Sequence, residues 1–252
     1  MYEESIRDEF THQTDSFATS AAMSGEDVLG GLVALAPADS GTSWLETACG
    51  PGLISRALAA RVGSVHGVDL TPAMVERARD DALAEGIENV EFSLGDATAL
   101  EFEDAAFDGA ATRLSLHHIP APQRVVAEMA RVVRPGRWVV VGDHITDPDP
   151  EAMAWHQEIE RLRDPSHWSC LTQGRLRRLG EEAGLTLDSE QLTELDLDYD
   201  DWLARGSAGP AAAALIDRLL TEAPDGVEAF RVVQEGESRR LKLRFWLSRW
   251  RR

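Results

Sequence analysis

The chain has 252 residues and a formal net charge of −19, from 44 acidic and 25 basic side chains. That length suits one large domain, or a domain carrying an inserted cap. The charge speaks against nucleic acid and anionic membrane as partners, since both need a basic footprint, and a hydrophobic content of 43% excludes global disorder.

Residues 1–36 read as a helical segment. SWLETA (43–48) is strand-like and runs into Cys49-Gly50-Pro51-Gly52. LISRALAARV (53–62) then has helical periodicity, with Leu53, Ala57, Leu58 and Val62 on one face. VHGVDL (65–70) is a second short strand. Thr71-Pro72 opens a helix with a capping hydroxyl and a first-turn proline. NVEFSLGDA (89–97) reads as a third strand ending in an acid, and FDGAATRLSL (107–116) as a fourth. QRVVAEMARVVRPG (123–136) is a helix closed by Pro-Gly, and RWVVVGDHI (137–145) a fifth strand.

Residues 146–175 break the alternation and read as a cap over the carboxyl edge of the sheet. GRLRRLGEEAGLTL then passes from helix to strand. From DYDDWLARG onward the chain reads as helical to about residue 235, and LKLRFWLSR (241–249) is a last strand. Strand and helix alternating at this spacing predict an α/β, doubly wound, mostly parallel sheet. The expected organisation is an N-terminal helical lid (1–36), a core (37–145) and a region that caps the site and completes the sheet (146–252).

Two cysteines, Cys49 and Cys170, make neither a disulfide scaffold nor a cysteine-rich zinc site. Lys242 is the only lysine, so a Schiff-base or phosphate-loop lysine is excluded elsewhere. The acidic N-terminus lacks the features of a signal peptide, and no apolar run approaches the ~18 residues of a membrane span. A cytoplasmic protein is expected.

Three motifs sit at successive strand ends. Glu46-Thr-Ala-Cys49-Gly50-Pro-Gly52 occupies the first strand-to-helix turn, where glycines let a ligand approach the backbone and a helix N-terminus offers free N–H groups. Alone it is a turn that needs glycines. Asp69 ends the second strand, where a carboxylate can accept from both ribose hydroxyls. It can also serve only as an acid at a helix start. Gly95-Asp96-Ala97 ends the third strand, where an acid can accept from an adenine amino group.

Taken together, ETACGPG, VDLTPAMVERAR, GDATALEFEDAAFD, RLSLHHIP and VVRPGRWVVVGD resemble the class I S-adenosylmethionine-dependent methyltransferases, and within them the UbiE-like (methyltransferase type 11) group. The resemblance is close over about 43–145 and looser through the cap. It implies a Rossmann-like sheet of seven strands and S-adenosyl-L-methionine as cofactor, with S-adenosyl-L-homocysteine as product. It places Glu46, Cys49, Gly50 and Gly52 beside the methionine part and Asp69 at the ribose. Leu70 and Met74 would line the adenine, Asp96 and Ala97 its edge, and Arg113 the cofactor carboxylate. The sequence departs at Ala48, where many members have glycine. Pro51 and Ser55 speak against the dinucleotide-type glycine loop, and hence against a nicotinamide oxidoreductase. Cys49 reads as a small loop residue rather than a nucleophile.

Methyl transfer from a sulfonium needs in-line positioning, and a hydroxyl or activated carbon acceptor needs a base. The candidates follow the fourth and fifth strands: His117, Asp143 and His144 as bases, with His118 as a substrate contact. Strand alternation predicts that at most one residue of each adjacent pair faces the cleft. Phe10, Phe17, His156, His167 and Trp168 would suit a flat acceptor. His12 and Gln13 belong to the same N-terminal segment, which closes as a lid or serves only packing or a homodimer. The histidines lack i, i+4 pairing with one another, so no metal is expected. The expected acceptor is a small molecule, methylated at C, O or N, with no nucleic acid or membrane partner. Rival readings are a protein methyltransferase and a cofactor-binding protein, such as a cyclase, that transfers no methyl group.

Overall fold

The computed structural model describes residues 2–19, 26–37, 39–207 and 209–252. The chain begins with α1 (Tyr2–Thr19), a π-helical turn (Glu26–Gly30) and α2 (Gly31–Leu35). The core continues as β1 (Asp39–Thr47), α3 (Leu53–Ala59), β2 (Val62–Asp69), α4 (Pro72–Ala84), β3 (Val90–Leu94), β4 (Phe107–Arg113), a 3-10 turn (Leu116–His118), α5 (Pro122–Val132) and β5 (Val133–His144). The rest comprises α6 (Pro150–Arg163), α7 (Gln173–Glu182), β6 (Thr186–Asp198), α8 (Tyr199–Arg205), α9 (Gly209–Thr221), β7 (Phe230–Glu235) and β8 (Ser238–Arg251).

The strands form one sheet in the order β3-β2-β1-β4-β5-β8-β6, with β7 paired to β8. Pairs from β3 through β5 are parallel, and β8 runs antiparallel to β5, β6 and β7. The chain leaves β1 toward β2 and β3, then returns to β4 on the other side of β1. That reversal opens a crevice at the carboxyl ends of β1 and β4, where open α/β sheets bind their ligands.

Both faces of the sheet are covered, so the central strands are apolar on both sides. Along β1, Trp44 joins one cluster with Ile54, Leu58 and Phe245, while Leu45 joins the other with Val125, Met129 and Trp246. Successive side chains point to opposite faces, and Val139 and Val140 divide in the same way on β5. Local chemistry sets several helix starts. Pro72 and Pro122 occupy first turns, and the Asp149 carboxylate accepts from the Glu151 and Ala152 N–H groups at 3.0 Å.

The α/β, mostly parallel fold agrees with the sequence reading, and the differences are local. The sheet has eight strands rather than seven. The extra one, β7, lies where the sequence predicts a helix to about residue 235. Its Val232 and Val233 pair with Leu241 and Arg240 through a tight turn at Gly236, and β-branched residues suit that pleated edge. Helix α5 ends at Val132, so Val133–Gly136 belong to the next strand. Strand β4 stops at Arg113, and Leu114 has a left-handed φ of 52°. His117 and His118 therefore lie on a 3-10 turn, and strand alternation does not govern where they point.

Candidate active site

The ends of β1, β2, β3 and β4 converge on one cavity, to whose wall α1 contributes Ile6, Phe10 and Phe17. Its wall includes Glu46, Cys49, Gly50, Asp69, Leu70, Met74, Asp96, Ala97 and Arg113. Every predicted cofactor residue except Gly52 is therefore on this wall. Gly52 instead shapes the turn: its φ is 75°, and a Cβ there would lie 2.7 Å from the Phe92 ring. Gly50 also takes a left-handed φ, of 52°, as does Ala48, at 50°. Ala48 thus occupies a conformation that favours glycine.

Backbone donors hold the acids in place. Asp69 accepts from the Gly50 N–H and the Thr71 N–H, each at 2.8 Å, so it ties the glycine loop to the start of α4. Each oxygen keeps a second lone pair for a ligand hydroxyl. Asp96 accepts from the Thr98 N–H at 2.7 Å and the Thr98 hydroxyl at 2.8 Å. Glu46 accepts from the Ser55 N–H at 2.7 Å and from its hydroxyl. Burial nonetheless pushes Glu46 up to about 7, against the Ser55 donors and the Arg113 charge. Burial likewise lowers Arg113 to about 10 and raises the Cys49 thiol, which leaves Cys49 a poor nucleophile.

A second, smaller cavity lies among β5, β6, β8 and helices α1, α6 and α8. His117, His118, His144, Glu160, Arg163, His167 and Arg205 line it, with Trp202, Leu195 and Leu243. Phe17, Leu114 and His118 belong to the walls of both cavities, so the two adjoin at the end of β4. His118 packs edge-on against Phe10 with ring centroids 4.8 Å apart.

Asp143 is buried behind the second cavity rather than on its wall. It accepts from His117 Nδ1 at 2.6 Å and from the backbone N–H groups of His144 and His117. Burial pushes Asp143 up to about 6 and His117 well below its ordinary value. With Asp143 as the carboxylate and His117 as the neutral imidazole that burial favours, Nδ1 is the ring nitrogen that donates, and Nε2 is the basic one. Burial also lowers His144 to about 3 and His167 to about 2.

The remaining predicted contacts divide. Phe10 and Phe17 line the first cavity, and Gln13 the second. His12 faces solvent. Gln13 donates to Asp164 at 3.1 Å and Arg77 pairs with Asp15 at 2.7 Å, so α1 is tied both to the end of α6 and to α4. His167 faces the second cavity with its Nε2 on Gln157 at 2.7 Å. His156 is turned inward toward Thr146 and Cys170, away from both cavities. Trp168 is 47% exposed on the rim of a separate surface hollow. Sequence reasoning does not find Glu160, Arg163, Arg205 or a role for Cys170. They carry no local motif, and Arg205 comes from a separate helix, α8.

Comparison with known proteins fits this geometry. A methyltransferase domain model matches residues 45–136. Over 202 residues the chain is 34% identical to the uncharacterized methyltransferase YcgJ of Bacillus subtilis (strain 168), covering 80% of this chain and 79% of that protein. The chain belongs to the class I S-adenosylmethionine-dependent methyltransferases. The crystal structure of YcgJ superposes with a TM-score of 0.82 at 28% identity, over 89% of this chain and 97% of that one. BH2331 from Bacillus halodurans gives 0.83 at 25% identity, over 90% and 99%. The 27-O-demethylrifamycin SV methyltransferase of Amycolatopsis mediterranei (strain S699) is 33% identical over 170 residues, 64% of this chain and 62% of that protein.

The cofactor of this methyltransferase is S-adenosyl-L-methionine, and the first cavity has the chemistry to hold it. Carboxylates at the ends of β2 and β3 offer acceptors for hydroxyl and amino groups, Leu70 and Met74 offer an apolar wall for a flat base, and a glycine-permitted loop admits close backbone approach. Among the described residues, no helix is long and apolar enough to cross a membrane.

Proposed function

We propose that this methyltransferase moves a methyl group to a C, O or N atom of a small acceptor, aromatic or of specialised metabolism, by direct displacement. The observation that carries the reading is the wall shared by the two cavities at Phe17, Leu114 and His118. A cofactor in the first and an acceptor in the second would meet there. The similarity to a methyltransferase acting on 27-O-demethylrifamycin SV supports a small-molecule acceptor.

In this reading Asp69 holds the ribose, Asp96 and Ala97 the adenine edge, and Glu46, Cys49, Gly50 and Arg113 the methionine part. The bound cofactor supplies an electrophilic methyl group on a sulfonium. His117 Nε2 takes the acceptor's proton, and Asp143 fixes the tautomer that leaves Nε2 free. Trp202, Leu195 and Leu243 exclude water on the acceptor side, Arg163 and Arg205 offer donors to an acceptor oxygen, and α1 closes both cavities. A net charge of −19 disfavours nucleic acid as acceptor.

The test is transfer of label from methyl-labelled S-adenosylmethionine into an extract of the source organism, with Asp69→Ala as control. Label in the organic-soluble fraction, absent from the control, supports the reading. Label in acid-precipitable material moves the assignment to a protein methyltransferase. Cofactor binding without label in any fraction or in a purified acceptor panel favours a non-methylating role.

A further inference from the structure

We propose that His144, His156, Glu160 and Cys170 form a zinc site that fastens the cap to the core sheet. The four residues come from three separate places: the last residue of β5, two residues one turn apart on α6, and the loop between α6 and α7. They are only 5%, 1%, 3% and 1% exposed, respectively. Their donor atoms all lie within 4.8 Å of one another.

The separations suit one small ion. Glu160 Oε1 is 3.5 Å from His156 Nε2 and 3.8 Å from His144 Nε2, and Cys170 Sγ is 4.0 Å from His156 Nε2. Tetrahedral zinc with bonds of about 2.0–2.3 Å holds its ligand atoms about 3.3–3.6 Å apart. Cys170 Sγ and His144 Nε2, at 2.6 Å, are closer than a sulfur hydrogen bond requires, and binding would part them by about 1 Å.

A hydrogen-bonded core cluster leaves two facts unaccounted for. Glu160 Oε1 is buried with no hydrogen-bond partner, which is costly for a carboxylate. The donors also include a thiol that no disulfide uses. Zinc answers both. It prefers mixed sulfur, imidazole and carboxylate donors, and its charge cancels that of one thiolate and one carboxylate.

Neighbouring groups already aim the donors. His156 Nδ1 meets the Thr146 hydroxyl at 3.3 Å, which turns Nε2 toward the cluster. The Gln157 side chain clamps the backbone of Cys170 by accepting from its N–H at 2.9 Å and donating to its carbonyl at 2.8 Å. Such outer contacts orient the ligands of metal sites. The i, i+4 pair His156–Glu160 joins an imidazole to a carboxylate, so the spacing of histidines alone does not reveal it. The proposal departs from the expectation of no metal, and it removes His144 from the candidate bases while leaving His117.

The full chain, purified without chelator, is assayed for zinc and then stripped and titrated with cobalt(II). The expected result is about one zinc per chain and a sulfur-to-cobalt charge-transfer band. Cys170→Ser and His156→Phe should each lower metal affinity at least about tenfold, whereas Cys49→Ser should keep the metal and the band. S-adenosylhomocysteine binding by Cys170→Ser and His156→Phe shows that they fold. A metal-free chain that takes up neither zinc nor cobalt overturns the proposal, as does a cobalt band that survives Cys170→Ser.

Discussion

Asp143 and His117 are 26 residues apart in the chain, yet the Asp143 carboxylate accepts from His117 Nδ1 at 2.6 Å inside the core. With an ionised carboxylate the contact fixes Nδ1 as the protonated nitrogen of a residue that lines the second cavity. Asp143→Asn offers Nδ1 an amide in place of a carboxylate, which weakens that tautomer's hold. We expect kcat to fall about 10²-fold or more, with S-adenosylhomocysteine affinity within about twofold. His117→Ala should show the same split. Full turnover in both variants would remove the pair from the chemistry.

Asp69 joins the glycine loop to the start of α4 through the Gly50 and Thr71 N–H groups. Asp69→Ala removes both that tie and the proposed ribose acceptor. Calorimetric titration should show S-adenosylhomocysteine binding weakened more than about tenfold, or about 1.4 kcal/mol. An unchanged affinity would sink the ribose assignment.

Glu46 carries a pH dependence with a defined sign. Burial raises it from an ordinary 4.5 to about 7. Between those values the folded chain holds a proton that the unfolded chain has released, so this group's contribution to stability falls as pH rises through the window. Above pH 7 the fold carries a buried carboxylate. Glu46→Gln removes that cost while keeping an acceptor for Ser55. Urea denaturation should find the variant stabilised relative to the parent at pH 8.5, by order 1–3 kcal/mol, and gaining less at pH 5. Equal effects at both values would contradict the buried, perturbed carboxyl.

His167 acts in the opposite direction. Burial lowers it from an ordinary 6.5 to about 2. Its contribution to stability is complete above pH 6.5 and is lost as pH falls, because the unfolded chain then binds a proton that the folded chain refuses. His167→Gln should flatten the loss of stability between pH 6.5 and pH 4 in the same denaturation series. An unaltered slope would mean that His167 is not buried as a neutral ring.

Ala48 holds a φ of 50° in the loop after β1. Glycine adopts that conformation without steric cost, whereas alanine is strained there. Ala48→Gly should raise the unfolding free energy by about 0.5 kcal/mol, the relieved strain exceeding the extra freedom of the unfolded chain. A drop in stability would show that the loop relaxes around alanine.

The parallel core and its cofactor cavity are legible in the chain alone. Short buried strands, first-turn prolines and a glycine loop are local patterns, and in this topology the ends of β1, β2 and β3 are neighbours in space. Glu46, Asp69 and Asp96 could therefore be placed from spacing and resemblance. Other features arise only where distant segments meet in the fold. Strand β7 forms because β8 offers it a partner. Asp143 turns inward to meet His117 because β4 ends early and the chain turns through Leu114. His144, His156, Glu160 and Cys170 converge because α6 packs across the end of β5. No periodicity records such meetings, since the forces that set them act between faces buried against each other rather than between neighbours in the chain.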